Sequence, residues 1–303
     1  MTLVSVVVPV YRCDSTLVEL YERTRDVLNS GGADFEIIFV HDGCSEESWK
    51  KIQELANLDK RVHGLKLSRN FGQHPAIMAG LRAAKGSKIA VVDCDLQDPI
   101  ELLPRLVMEA DDSEIVLSLR NTRGDSLIRR LQAAIFTELL RLFTGQTIDP
   151  RLGGISMISN KVAREYVKFN EPDHHFLYIL MWLGFRTKFI EIDRFERVSG
   201  ESSYRLFARL RHAARGIYFF SSRLISCVAV VGLAVFIAGL MLIAVVLILS
   251  IGESRASGWL STVSLLVLFS GFNIALTSIV GLYVTRVFEK VKERPLFVVA
   301  EEV

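Results

Sequence analysis

Two hydrophobic patterns divide the chain. Through residues 1 to about 200, short β-rich runs alternate with stretches of helical periodicity: VSVVVPV, a helix near Leu17 to Ser30, FEIIFV, a helix near Glu46 to Leu58, VHGLKLS, a helix near Pro75 to Ala84, and KIAVVD. Continuous apolar runs mark strands buried on both faces, and their alternation with helices predicts a doubly wound α/β sheet. In such sheets ligands bind beyond the carboxyl ends of the strands. That rule picks out Pro9 to Asp14, His41 to Ser45, Ser68 to His74 and Asp93 to Asp98, the loops richest in polar residues.

The second pattern begins at Leu224. Leu224 to Gly252 contains no Asp, Glu, Lys or Arg, and neither does Trp259 to Thr285. Each stretch exceeds the roughly 20 residues that cross a bilayer as a helix. The short link GESRASG between them predicts a hairpin with both flanks on one side. Arg205, Arg209, Arg211, Arg215 and Arg223 precede the first span, and Arg286, Lys290, Lys292 and Arg294 follow the second. The positive-inside rule therefore places both flanks, and both termini, in the cytoplasm of an integral membrane protein. Residues 204–223 interleave arginines with Leu206, Phe207, Leu210, Ile217, Tyr218 and Phe219. This predicts a basic amphipathic helix lying on lipid headgroups, the alternative being a helix covering the globular domain. The expected organisation is a cytosolic domain over 1–203, the juxtamembrane helix over 204–223, two spans over 224–252 and 259–285, and a cytoplasmic tail over 286–303.

Composition agrees with that division. The 303 residues are 50% hydrophobic and 23% charged, with mean hydropathy +0.32, which is too apolar for a purely soluble chain and excludes disorder. Lys+Arg 36 against Asp+Glu 34 gives a formal charge of +2, without the basic excess of a nucleic-acid-binding protein. The N-terminus lacks the charged region and cleavage pattern of a signal peptide. Cys13, Cys44, Cys94 and Cys227 form no CxxC pair and no metal-ligand spacing, so reduced thiols are expected rather than a disulfide scaffold or structural zinc.

The strongest chemical signal is VVDCDLQDP, Val91 to Pro99. Asp93, Asp95 and Gln97 are hard oxygen ligands at a strand end, suited to Mg²⁺ or Mn²⁺ held together with substrate phosphates; the structural alternative is a turn whose aspartates cap the next helix. A Walker A loop, GxGxxG after the first strand, GxSxG and HExxH are all absent from the sequence, which removes triphosphatase, dehydrogenase, serine hydrolase and zincin readings.

VSVVVPVY, EIIFVHDG, LSRNFGQHPAIMAGL, DCDLQDP and RVSGESSY, in this order and ahead of a membrane hairpin, resemble the polyprenyl-phosphate glycosyltransferases of glycosyltransferase family 2. That group includes dolichyl-phosphate mannose synthase, the bactoprenol glucosyltransferases and undecaprenyl-phosphate aminoarabinose transferase. The resemblance covers essentially the whole chain. It implies a GT-A fold with a mixed sheet, a nucleoside-diphosphate sugar donor, a polyprenyl phosphate acceptor, inversion at the anomeric carbon and a homo-oligomer. Matched by position, Pro9, Val10 and Tyr11 line the donor nucleotide, and Asp42 with Gly43 belongs to the loop that reads its base. Asp93, Asp95 and Gln97 match the metal and diphosphate ligands, while Arg120 and Arg197 match basic residues near the phosphates. Arg129, Arg130, Ser202 and Arg205 are expected at the acceptor phosphate, with solvated surface arginines the alternative for Arg129 and Arg130.

The chain departs from the family pattern in four places. Asn-Glu after the first-loop tyrosine becomes Arg12-Cys13, with an acidic residue only at Asp14, and Asp-Asp-Gly-Ser becomes His41-Asp42-Gly43-Cys44. Gly-Asp-Phe-Arg becomes Gly153-Gly154-Ile155-Ser156, and the lysine of Gly-x-Ser-Lys-Tyr is Ser203. These losses motivate a second reading, a non-catalytic membrane scaffold that keeps the fold. A processive polysaccharide synthase fits less well, because QxxRW is missing and two spans are few for an export channel. Of the remaining polar residues, His74 suggests a helix cap or a donor contact, His174 and His175 a weak metal pair, and Asn273 a helix–helix hydrogen bond within the second span.

Overall fold

A computed structural model describes residues 3–120, 149, 151–170, 175–192, scattered positions between 262 and 292, and 294–303. The chain divides into two compact units, one of 1–138, 147–213 and 295–303, the other of 139–146 and 214–294.

In the first unit the apolar runs become parallel strands. β1 (Leu3–Val10), β2 (Asp34–His41), β3 (Val62–Leu67) and β4 (Lys88–Val91) alternate with α1 (Leu17–Ser30), α2 (Glu46–Leu58) and α3 (Gln73–Ala83). After β4 come α4 (Leu103–Glu109), β5 (Ile115–Arg120), β6 (Leu152–Ser159), α5 (Asn160–Tyr166), α6 (Phe176–Leu183), β7 (Thr187–Ile192) and β8 (Val299–Glu302). They form one sheet in the order β7-β5-β6-β4-β1-β2-β3-β8, with β1 parallel to β2 and β4, and β6 and β8 antiparallel to their neighbours. The expected α/β class with a mixed sheet is present.

β1 is central, so its side chains from Val4 to Val10 are buried on both faces. Val4, Val6, Val8 and Val10 face one way, into a core with Leu17, Leu20, Phe35, Ile37, Phe39, Trp49 and Ile52. Val7 faces the other way, against α3, whose Gly80 leaves no room for a methyl group: a Cβ there would overlap Val7 Cγ1 and lie 3.2 Å from Val40 Cγ2. α3 starts at Gln73, two residues before the expected Pro75, because Gly72, at φ 102, serves as its N-cap. Proline is tolerated in that first turn, where no intrahelical N–H is needed.

The C-terminal residues add an eighth strand. β8 pairs with β3, Gly64 and Val303 exchange backbone hydrogen bonds of 2.9 and 3.0 Å, and Trp49 Nε1 donates to Glu301 Oε2 at 3.0 Å.

The cysteines correct the expectation of reduced thiols. Cys13 and Cys94 form a disulfide across 81 residues of sequence, with a Cα–Cα separation of 6.0 Å, while Cys44 is free. No local spacing announces this pair. It arises because β1 and β4 are neighbours, which brings their following loops together.

Among the described residues no helix is long and apolar enough to cross a membrane. The first predicted span, 224–252, and the amphipathic segment 204–223 lie outside the described residues. Described positions between 262 and 291, within and just beyond the second predicted span, are helical.

Gly80→Ala inserts a methyl group between β1 and β2 where the packing is closed. It is expected to destabilise the first unit by about 1–3 kcal/mol, read as a fall of several degrees in the thermal midpoint of the detergent-solubilised chain.

Candidate active site

Four of the expected loops meet at one edge of the sheet. The carboxyl ends of β1, β2, β3 and β4 lie there, together with the end of β5 at Arg120 and the start of β6 at Gly153 and Gly154. Successive strands leave β1 in opposite directions, β2 on one side and β4 on the other, which opens a crevice between their loops. Two non-glycine residues in these loops adopt left-handed backbone, Arg12 at φ 58 and Leu96 at φ 56. Such conformations cost energy and concentrate at functional sites.

Pro9 and Val10 are buried at the end of β1, and Tyr11 is 44% exposed with the Arg12 guanidinium 5.2 Å from its ring centre. Asp14 turns toward α2. Its carboxylate accepts a 2.9 Å hydrogen bond from the Ser45 hydroxyl and another from the Ser48 hydroxyl, and its carbonyl accepts from Lys51 Nζ at 3.0 Å. The Ser48 hydrogen bond is the main reason that its pKa lies below the ordinary carboxylate value. Asp14 thus anchors the loop to the helix N-terminus, and does not replace the family's acidic residue in the crevice.

Asp42 is 2% exposed, and its two oxygens accept from the Phe71 and Gly72 amides at 2.7 and 2.9 Å. Burial pushes its pKa up, and the two amides offset this in part. Its carboxylate therefore holds the loop after β3. Gly43, at φ 59, closes the same junction, since a Cβ there would press on the backbone of Arg69 and Asn70. His41 Nε2 lies 3.0 Å from the Ser45 carbonyl. Burial lowers the His41 pKa, but Cys44 and the Ser45 carbonyl outweigh it and leave the value raised.

The carboxylates after β4 differ in role. Asp93 and Asp95 are half-buried and Gln97 is buried. Asp95 Oδ1 accepts the Gln97 amide at 3.2 Å, which tightens the turn. Asp93 Oδ1 accepts from Gln73 Nε2 at 2.8 Å, so the first residue of α3 helps to aim it. Asp98, 4% exposed, accepts the Gly154 and Ile155 amides at 2.8 and 3.1 Å and locks β6 to this loop. A Cβ on Gly154 would collide with Asp93 Oδ2 and lie 2.8 Å from Asp98 Oδ2. The family's aspartate at this position is thus replaced by open backbone into which two other carboxylates fit.

Among the described residues no group of three or more His, Cys, Asp or Glu is placed to hold a metal by itself. Two half-exposed carboxylates beside an amide nonetheless suit Mg²⁺ or Mn²⁺, which commonly take one or two carboxylates and complete their shell with phosphates and water. Gln73 and Asp98 lie within quoted motifs, but their contacts depend on which loop faces them and could not be read from spacing. His74 sits in the first turn of α3 with its ring 4.2 Å from that of His175, and its Nδ1 accepts the Phe176 amide at 3.4 Å. Asn273 is exposed among the helical positions of the C-terminal segment. Of the other expected contacts, Arg120 is placed by its backbone alone. Arg129, Arg130, His174, Arg197, Ser202 and Arg205 lie outside the described residues.

A family model described as glycosyl transferase family 2 matches residues 5–167, the segment that builds this edge. The chain belongs to that family. A Bacillus subtilis (strain 168) protein named uncharacterized glycosyltransferase YkcC is 32% identical over 298 residues, 97% of this chain and 92% of its own length. The undecaprenyl-phosphate 4-deoxy-4-formamido-L-arabinose transferase of Proteus mirabilis (strain HI4320) is 28% identical, covering 99% and 94%. The prophage bactoprenol glucosyl transferase homolog of Escherichia coli (strain K12) is 28% identical, covering 98% of each chain. The crystal structure of mannosyl-3-phosphoglycerate synthase from Rubrobacter xylanophilus shares the fold, with TM-score 0.50, 12% identity and 72% of each chain covered. The family and these relatives make the protein a glycosyltransferase.

Gly154→Ala pushes the Asp93 carboxylate out of its place. It is expected to lower glycosyl transfer by about a hundredfold while leaving the far-ultraviolet circular dichroism of the chain unchanged.

Proposed function

We propose that this glycosyltransferase moves a sugar from a nucleoside diphosphate to the phosphate of a polyprenol, of undecaprenyl or dolichyl type, at the cytoplasmic face of a bacterial membrane, with inversion at the anomeric carbon. The observation that carries the reading is the pair Asp93 and Asp95 beside the β1 loop at one sheet edge. It stands in a chain that aligns over nearly its full length with relatives named for undecaprenyl phosphate and bactoprenol.

The acceptor's chemistry explains why the site can work without the family's second acidic residues. A phosphate monoester has its second pKa near ~6 and is mostly dianionic at neutral pH. No side chain then has to remove a proton from the nucleophile. What remains is to hold the acceptor in line with the departing diphosphate, which is positioning and electrostatics. Pro9, Val10 and Tyr11 would form the wall against the donor nucleotide, with Asp42 and Gly43 fixing the neighbouring loop. Asp93, Asp95 and Gln97 would hold Mg²⁺ or Mn²⁺, which when bound supplies positive charge to the diphosphate oxygens. Arg120 and Arg197 on the donor side, and Arg129, Arg130, Ser202 and Arg205 on the acceptor side, supply the fixed forks and donors that phosphates need.

The pairing of β8 with β3 supports the membrane topology. A strand cannot hydrogen-bond across a bilayer, so any crossings made between β3 and β8 must be even in number. Two spans over 224–252 and 259–285, each flanked by cationic residues, would satisfy that requirement.

Purified protein given Mn²⁺ or Mg²⁺, undecaprenyl phosphate and a panel of uridine and guanosine diphosphate sugars is expected to form a lipid-linked sugar. Asp95→Ala or removal of metal by a chelator lowers the rate by about a hundredfold or more. A panel that yields no lipid-linked product from any donor overturns the reading. In inside-out membrane vesicles a C-terminal tag is expected to be fully open to protease, and protection of that tag in those vesicles would exclude the hairpin.

A further inference from the structure

The disulfide lies where the crevice opens. Cys13 belongs to the loop after β1, and Cys94 sits between Asp93 and Asp95 after β4. These loops flank the point at which the strand order reverses. The cross-link therefore joins the donor wall to the carboxylate pair directly. Both sides are already under constraint, with left-handed Arg12 immediately before Cys13 and left-handed Leu96 two residues after Cys94. Thr16 reinforces the same seam, its hydroxyl lying 2.6 Å from the Cys94 carbonyl and its amide donating to the Cys13 carbonyl at 3.1 Å.

The two sulfurs differ in access. Cys94 is 7% exposed and packs into the core, whereas Cys13 is half-buried beside the exposed Tyr11 and Arg12. Cys94 belongs to that core and Cys13 packs against it, so the disulfide need not itself fill the crevice. We infer that Cys13 and Cys94 form a redox modification site that takes a low-molecular-weight disulfide as oxidant and sets how firmly the donor loop is held. The Cys13 thiolate attacks one sulfur of the small disulfide, forming a mixed disulfide and releasing one thiol. The Cys94 thiolate then attacks the Cys13 sulfur and expels the second thiol. Two protein thiols are oxidised and one small disulfide is reduced. In the cross-linked form the loop is pre-organised, and binding a ligand then costs less ordering. In the dithiol form the Thr16 hydroxyl still ties the two loops through the Cys94 carbonyl.

The effect on donor affinity rests on the transferase reading of this edge, while the cross-link and its hold on the loops do not. The test uses the full chain in detergent, treated with dithiothreitol or with glutathione disulfide and then blocked with N-ethylmaleimide. Non-reducing peptide mapping is expected to recover a Cys13–Cys94 linked pair only after oxidation. Hydrogen exchange in peptides covering residues 10–16 and 92–98 should be slower in the oxidised protein, and calorimetric binding of uridine or guanosine diphosphate with Mn²⁺ tighter by about threefold to tenfold. Cys13→Ser and Cys94→Ser should each behave as the reduced protein under both treatments; wild-type protein read in both states needs neither variant to fold. Failure to form the linked pair, its appearance at Cys44 instead, or a linked pair that leaves exchange in both segments unchanged overturns the inference. If neither nucleotide binds in either state, the transferase reading of the site fails, and the exchange data alone decide the redox site.

Discussion

The parallel pairing of β1 with β4 is the contact on which the site depends. Val4 to Val7 lie in register with Lys88 to Val91, and the Val92 amide continues the ladder to the Val7 carbonyl at 3.0 Å. The chain must leave β1 for β2 on one side and return to β4 on the other, so the two following loops part and a crevice opens at their carboxyl ends. The opposite end of the same strands is closed by a buried polar clamp. Ser5 Oγ donates to Glu36 Oε1 at 2.5 Å, the Lys85 amide donates to that oxygen at 2.7 Å, and the Gly86 amide donates to Ser5 Oγ at 2.8 Å. Glu36 is 5% exposed, so removing any partner would leave a desolvated group unpaired. One end of the sheet is held by satisfied polar groups, and the other is left open for chemistry.

At the open end most of the acidic residues are structural. Asp14 holds α2, Asp42 holds the loop after β3, and Asp98 holds β6, each through its own carboxylate and backbone or hydroxyl donors. Asp93 and Asp95 remain half-exposed in the middle of this frame. Three carboxylates thus spend their hydrogen-bonding capacity on rigidity, which is what transfer by positioning requires. The glycine at 154 belongs to the same frame: the strand that lost a family carboxylate gains close approach to two others.

Much of the fold was legible from hydrophobic pattern. The four apolar runs became β1 to β4, and the helices near Leu17, Glu46 and Pro75 formed with boundaries shifted by at most two residues. Strands buried on both faces have to be continuously apolar, which leaves little else for VSVVVPV to be. The later elements carried weaker signals. β7 buries only Ile190 and Ile192 at a sheet edge, and β8 is four residues long with mostly exposed side chains, so neither has the pattern of a core strand.

The chain by itself determined the α/β class, the sheet edge at which chemistry could occur, and the cluster of oxygen-bearing side chains Asp93, Asp95 and Gln97 at that edge. Each of these follows from local composition or from a rule that holds for every parallel sheet. Only the tertiary structure decided which polar groups face one another. Asp14 turned to α2, Asp42 closed on Phe71 and Gly72, Gly154 became necessary space, and Cys13 met Cys94 across 81 residues. These pairings depend on strand order, and strand order is set by how distant apolar faces pack, which no local spacing records.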